Sequence, residues 1–132
     1  MLIEYLSLRS RSRLINLVFL LGVGCFGTLV QADLVYVVNG LSKNVSVIET
    51  NSNKVVATIP VGTDPAGVAI NPSGTRAYVT NRYSNSVSVI DTSTNSVIKT
   101  IHVGSTPNGV AVNPTGTRVY RTGLKSFKDV LK

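Results

Sequence analysis

Short runs of alternating apolar and polar residues fill residues 33–120, and clusters of Gly, Pro, Asn, Asp and Ser interrupt them. Along 86–91, Val87, Val89 and Asp91 fall on one side of an extended strand, and Ser86, Ser88 and Ile90 fall on the other. Val45, Val47 and Glu49 alternate with Ser46 and Ile48 in the same way. The runs are rich in Val, Ile, Thr and Tyr, residues that fit a pleated, half-buried surface. No helical periodicity runs through 33–120. The pattern predicts strands near 67–70, 76–81, 87–91 and 97–103, with turns at 71–74, 83–86, 92–95 and 104–107. At the first turn, Pro72 pre-sets φ and Gly74 tolerates a positive φ.

The pattern repeats. Tyr36, Tyr78 and Tyr120 are each 42 residues apart. Val61-Gly62 and Val103-Gly104, Asn71-Pro72 and Asn113-Pro114, and Gly74-Thr75-Arg76 and Gly116-Thr117-Arg118 keep the same step. Laid over 78–119 without a gap, residues 36–77 are identical at 24 of 42 positions. A period near 40 with four strands per unit marks the blade of a β-propeller. The short, small-residue runs Gly67-Val68-Ala69-Ile70 and Gly109-Val110-Ala111-Val112 suit the innermost strand, where blades converge on an axis. The expected fold class is therefore all-β: a partial propeller of about two four-stranded antiparallel blades. Its boundaries are 36–77, 78–119 and the start of a third unit at 120. By strand count the chain should carry three strands of one blade, one whole blade and two strands of the next. Complete propellers have typically 4–8 blades, so this set cannot close a ring alone.

Tyr78-Val79-Thr80-Asn81, then Ser86-Val87-Ser88-Val89-Ile90-Asp91-Thr92 and Val103-Gly104, resemble the YVTN repeat of exported, YncE-like β-propellers. Gly109-Val110-Ala111-Val112-Asn113-Pro114 and Gly116-Thr117-Arg118-Val119-Tyr120 are similar to the segment that ends one such repeat and opens the next. The resemblance covers about 33–120. It implies a propeller fold and an extracytoplasmic location. Propellers of similar appearance include lactonase-like proteins and domains of periplasmic oxidoreductases. Tyr36-Val37-Val38-Asn39 departs at one position, and Tyr120-Arg121-Thr122-Gly123 loses the Asn.

The ends depart from the repeat. Arg9, Arg11 and Arg13 precede an uncharged stretch from Leu14 to Val30, followed by Gln31-Ala32. A basic start, an apolar run and a small-residue site read as a signal peptide over 1–32, cleaved after Ala32. An uncleaved anchor is the alternative reading, and a lipoprotein reading would use Cys25. After Gly123 the repeat is lost, leaving a divergent basic tail at 121–132. Leu124, Phe127, Val130 and Leu131 form a weak helical pattern there. The tail reads either as a cap or as the mark of a truncated, frame-changed fragment.

The charge of +7 is carried mostly by these ends. Between 33 and 116, Lys43, Lys54, Arg76, Arg82 and Lys99 face Asp33, Glu49, Asp64 and Asp91, a net +1. A nucleic-acid partner is therefore not expected, since it would need a basic face on the folded body. From 33 onward there is no cysteine, which excludes thiol chemistry and disulfides in that part.

The candidate chemistry is sparse. His102 is replaced by Pro60 in the other repeat, which suggests a surface histidine. Glu49 and Asp91 are repeat equivalents, each followed by Thr, and read as turn formers. Asp64 becomes Thr106 one unit later. Arg76 and Arg118 recur, with cross-strand pairing expected. Asn39 and Asn81 recur too and are expected to bond the backbone of their turns. Asn44-Val45-Ser46 spells a glycosylation sequon. No residue is nominated as catalytic, cofactor-binding or metal-ligating, and no cofactor is expected. The expected role is a non-catalytic binding or surface-scaffold module, periplasmic, secreted or held at the cell surface. The alternative is a piece of an exported propeller enzyme whose active residues lie in other blades. Either way, further blades, from self-association or another chain, are the expected partners.

Overall fold

In the computed structural model, residues 3–9, 14–20, 33–123 and 128–130 are described. Two strands near the N-terminus, β1 (Ile3–Arg9) and β2 (Leu14–Leu20), pair antiparallel, with Ile3 opposite Leu20 and Arg9 opposite Leu14. They lie within the expected leader. The expected cleavage point after Ala32 falls outside the described residues. No helix among the described residues is long and apolar enough to cross a membrane.

The repeats form three sheets. The first blade holds β3 (Leu34–Asn39), β4 (Asn44–Glu49) and β5 (Lys54–Pro60), in that order. The second holds β6 (Pro65–Ile70), β7 (Arg76–Asn81), β8 (Ser86–Asp91) and β9 (Ser96–His102). The third holds β10 (Val110–Val112), β11 (Val119–Arg121) and the short β12 (Lys128–Asp129). All neighbours are antiparallel. The four strands expected for the complete unit are all present, in meander order.

The turns form as their residues dictate. Gly74 has φ 71° and donates its N–H to the Asn71 carbonyl at 2.8 Å. The Asn71 side-chain oxygen accepts from the Thr75 and Arg76 amides at 2.9 and 3.0 Å, closing the β6–β7 turn. Asn85 and Asn95 take left-handed φ of 49° and 50° at the next two turns, a conformation Asn adopts more readily than most residues. The register slips at Val47/Ile48 and again at Val89/Ile90. The bulge is thus a repeated feature of the blade.

Packing occurs between blades. Tyr36, Val45, Val47 and Ile59 of the first blade meet Ala77, Val79 and Ile90 of the second in one buried cluster. Tyr78, Val87 and Val89 on the opposite face of the second blade meet Val119 of the third. Strand alternation supplies both: Ile90 faces back toward the first blade, while Val87 and Val89 face forward. The Tyr36 hydroxyl also donates across the first boundary to the Asn95 side chain at 3.2 Å.

The C-terminal expectation needs correction. Two strands are expected in the third blade, followed by a divergent tail with only a weak helical pattern. Instead Lys128–Asp129 pairs with β11, placing Asp129 opposite Tyr120 and Lys128 opposite Arg121. The Val130 amide donates to the Val119 carbonyl at 2.7 Å, and Val130 packs on the second cluster. The unpaired backbone edge of β11 is a stronger local demand than three or four apolar residues at helical spacing, which are marginal as a helix alone. Leu124, Phe127 and Leu131 lie outside the described residues.

Candidate functional site

The polar side chains that recur between repeats bond mainly to one another. Asn81 is fully buried, and its Nδ2 donates to the hydroxyls of Ser86 at 3.1 Å and Ser88 at 3.0 Å. Asn39 does the same toward Asn44 and Ser46, at 2.8 Å each. These are side-chain partners across the hairpin, not the turn backbone that the sequence suggested. The first residue of the sequon, Asn44, is thereby half-buried and engaged. Thr80 donates its hydroxyl to the Asn108 carbonyl at 2.6 Å, tying the second blade to the approach of β10. Gly67 lies beside the same carbonyl: an added Cβ would sit 2.8 Å from it. Thr92 likewise donates to the Gly74 carbonyl at 2.6 Å.

The charged residues are similarly placed. Arg76 pairs with Asp91 across β7 and β8, as expected. Asp91 also accepts from the Ser93 hydroxyl and amide and from the Thr94 amide. These bonds, the Ser93 hydroxyl foremost, lower its carboxyl from the usual 3.8 to about 2. Asp91 is thus a turn former, as its position suggested. Glu49 accepts from the Ser52 hydroxyl at 2.6 Å in the matching turn. Asp64 takes a left-handed φ of 55° and accepts from Arg82 Nε at 2.7 Å. That bond, with the carboxylate charge, raises the Arg82 guanidinium above its ordinary value. His102 ends β9 opposite Ser86 and is exposed. No cluster of three or more potential metal ligands occurs among the described residues.

A cleft of about 820 Å³ opens between the start of β3, the end of β6 and the turns after β6 and β10. Asp33, Leu34, Tyr36, Ile70, Pro72 and Pro114 are among its walls. Among the described residues Asp33 is the one carboxylate in its lining, and the Thr92 hydroxyl, also in the lining, is already bonded to the Gly74 carbonyl.

Two features escaped the sequence reading. Arg121 stands where Val79 stands one repeat earlier, and it is 5% exposed with its Nε unpartnered. An added Cβ on Gly104 would meet its guanidinium at 2.8 Å, just as one on Gly62 would meet the Asn81 side chain at 2.7 Å. Arg121 therefore fills the space that Asn81 fills in the second blade, where Gly123 now carries no side chain. The paired exchange of Val79-to-Arg121 and Asn81-to-Gly123 positions was visible in the repeat alignment.

The second is the back face of the first blade. Val35 and Val37 are 45% and 39% exposed, whereas their equivalents Ala77 and Val79 are fully buried. Val55 is exposed too, although its equivalent Val97 packs on the first cluster. Identical positions in the repeat differ solely because one blade has a neighbour behind it and the other has none among the described residues.

Antiparallel sheets of three, four and three strands packed face to face, each stepping on by 42 residues, define a partial β-propeller. The chain belongs to the YNCE-like β-propeller family, whose model matches residues 8–118. Among solved structures it is similar to hydrazine synthase of Kuenenia stuttgartiensis, with 31% identity and a TM-score of 0.67 over 67% of this chain and 25% of that one. It is also similar to a functionally unknown protein from Desulfotomaculum acetoxidans, with 21% identity and a TM-score of 0.61 over 67% of this chain and 31% of that one. A third similar structure is the dihydro-heme d1 dehydrogenase NirN, with 22% identity and a TM-score of 0.62 over 70% of this chain and 21% of that one. The chain thus spans between a fifth and a third of the length of these proteins. The likeness to the last two shows the fold alone. Among curated proteins no significant match is found.

Proposed function

We propose that the chain is an exported propeller module with a non-catalytic binding or surface-scaffold role. One observation carries this reading. The polar side chains that recur from blade to blade are engaged with one another, as in Asn81 with Ser86 and Ser88, Asn39 with Ser46 and Asp91 with Arg76. Such bonds hold strands and turns in place. What the module then offers other molecules is surface: blade faces, loop tips and strand edges. Further blades complete those faces, drawn from another copy or another chain.

Export is supported by Arg9, Arg11 and Arg13 ahead of the uncharged stretch from Leu14. Propellers of this family are typically periplasmic. Periplasmic, secreted and surface-held locations all fit that reading.

The test is binding of purified protein to isolated cell-envelope fractions, measured beside hydrolysis of a lactone panel. Saturable binding without turnover is expected. Turnover that survives purification to homogeneity would sink the non-catalytic reading. A second reading has one observation in its favour, the 31% identity to hydrazine synthase. On that reading this segment is one part of a larger propeller enzyme, and the reacting groups sit on other blades. It predicts neither binding nor turnover by this chain alone.

A further inference from the structure

Arg121, at the end of β11, is 5% exposed, and its Nε meets no acceptor. Neither of the ion pairs Arg76–Asp91 and Arg82–Asp64 involves it. A buried cation is costly unless an anion accompanies it. The guanidinium lies against the loop that joins β9 to β10. A Cβ on Gly104 would meet its Nη2 at 2.8 Å. A Cβ on Gly123 would meet its Nη1 at 2.7 Å, the Ser105 carbonyl at 3.0 Å and the Thr106 carbonyl at 3.1 Å. Thr106, in that loop, has a buried hydroxyl that also lacks a partner. Gly104 and Ser105 beside it are exposed, so the crossing of loop and strand borders solvent.

The preceding repeat shows what the same loop holds there. Asp64 stands at the position of Thr106, with a left-handed φ of 55° against 45°. Its carboxylate accepts from Arg82 Nε at 2.7 Å. One unit later Thr106 replaces the carboxylate and Leu124 replaces the arginine. Arg121 brings a cation back to this loop, at a position where the earlier repeat has Val79, but the loop no longer carries a carboxylate to meet it.

We infer that Arg121 and Thr106 form a binding site for a small oxyanion, a carboxylate or inorganic phosphate, which takes the part that Asp64 plays one unit earlier. Nε and one Nη of a guanidinium present two parallel N–H groups, which match two oxygens of such an anion. The Thr106 hydroxyl supplies a further donor. One cation with two or three hydrogen bonds corresponds to a dissociation constant of roughly 1–10 mM. This site goes beyond the binding or scaffold role and stands on different residues, so either can fail alone.

The experiment is thermal unfolding of the full chain, titrated with sodium phosphate and separately with sodium acetate to about 30 mM, with sodium chloride holding the ionic strength constant. A saturable rise in Tm of roughly 4 °C or more is expected with at least one of the two anions. A response to phosphate assigns a tetrahedral oxyanion, and a response to acetate assigns a carboxylate. Arg121→Val restores the residue of the preceding repeat and should cut the rise to less than about 1 °C. Thr106→Asp restores the loop carboxylate, so it should raise Tm in chloride alone and likewise abolish the response to added anion. Circular dichroism checks that each variant is folded, and Thr106→Asp carries the test if Arg121→Val is not. A wild-type chain indifferent to both anions overturns the inference. So does an equal rise in Arg121→Val or Thr106→Asp, which would mark a general effect of the salts on the protein surface.

Discussion

Replacing valine by threonine at Val79 and at Val37 isolates what a neighbouring blade contributes. The two residues hold the same place in successive repeats, on the same face of equivalent strands. Threonine keeps the branched shape and the strand preference, so neither change opens a cavity. Val79 is fully buried in the cluster between the first two blades, where an added hydroxyl meets Tyr36, Val45, Val47 and Ile59. A buried hydroxyl without a partner costs about 1–3 kcal/mol. Val37 is 39% exposed, and water can satisfy the hydroxyl there. Surface substitutions of that kind stay within about 0.5 kcal/mol. Urea unfolding followed by far-UV circular dichroism measures both. With a slope of about 1.5 kcal/mol per molar urea, Val79→Thr should lower the midpoint by roughly 0.7–2 M and Val37→Thr by less than about 0.3 M. Equal shifts would refute the reasoning, because they would mean that the blade behind adds nothing to the burial of this position.

Other outcomes follow from the same contacts. Asn81→Ala should destabilise by about 1–3 kcal/mol in the same urea assay, since it leaves the buried hydroxyls of Ser86 and Ser88 without their shared donor. Gly67→Ala should destabilise by about 1–3 kcal/mol, because the new methyl meets the Asn108 backbone carbonyl rather than a movable side chain. The lowered carboxyl of Asp91 adds stability that is complete above its usual 3.8 and is lost as pH falls toward 2. Acid titration of the midpoint should show that loss in the native chain, and Asp91→Asn should flatten it.

Much of the fold is legible in the sequence because a repeat shows its own pattern twice. The 42-residue step, the alternation in 86–91 and the turn at Asn71–Gly74 each rest on local chemistry, and each appears in the structure. The partners of Asn39 and Asn81 were not legible. Which acceptor an amide finds depends on the register of β3 against β4 and of β7 against β8, which brings Ser46 and Ser88 within reach. The third strand of the last blade was hidden for a different reason. Lys128-Asp129 has no strand pattern of its own, and backbone pairing with β11 determines its conformation. The candidate surface was not legible either, although Val stands at 35, 37 and 55. Their exposure is a matter of which sheets flank them, and a strand pattern carries no such information.

The second blade is the centre of the stack, since it alone among the described sheets has packed neighbours on both faces. Native-state amide exchange tests this most directly, because protection reports how much packing must be lost before an amide opens. The slowest exchange should fall in Arg76–Asn81 and Ser86–Asp91, with Leu34–Asn39 and Val119–Arg121 exchanging faster. Protection that is uniform across the three sheets, or greatest in the first, would contradict it.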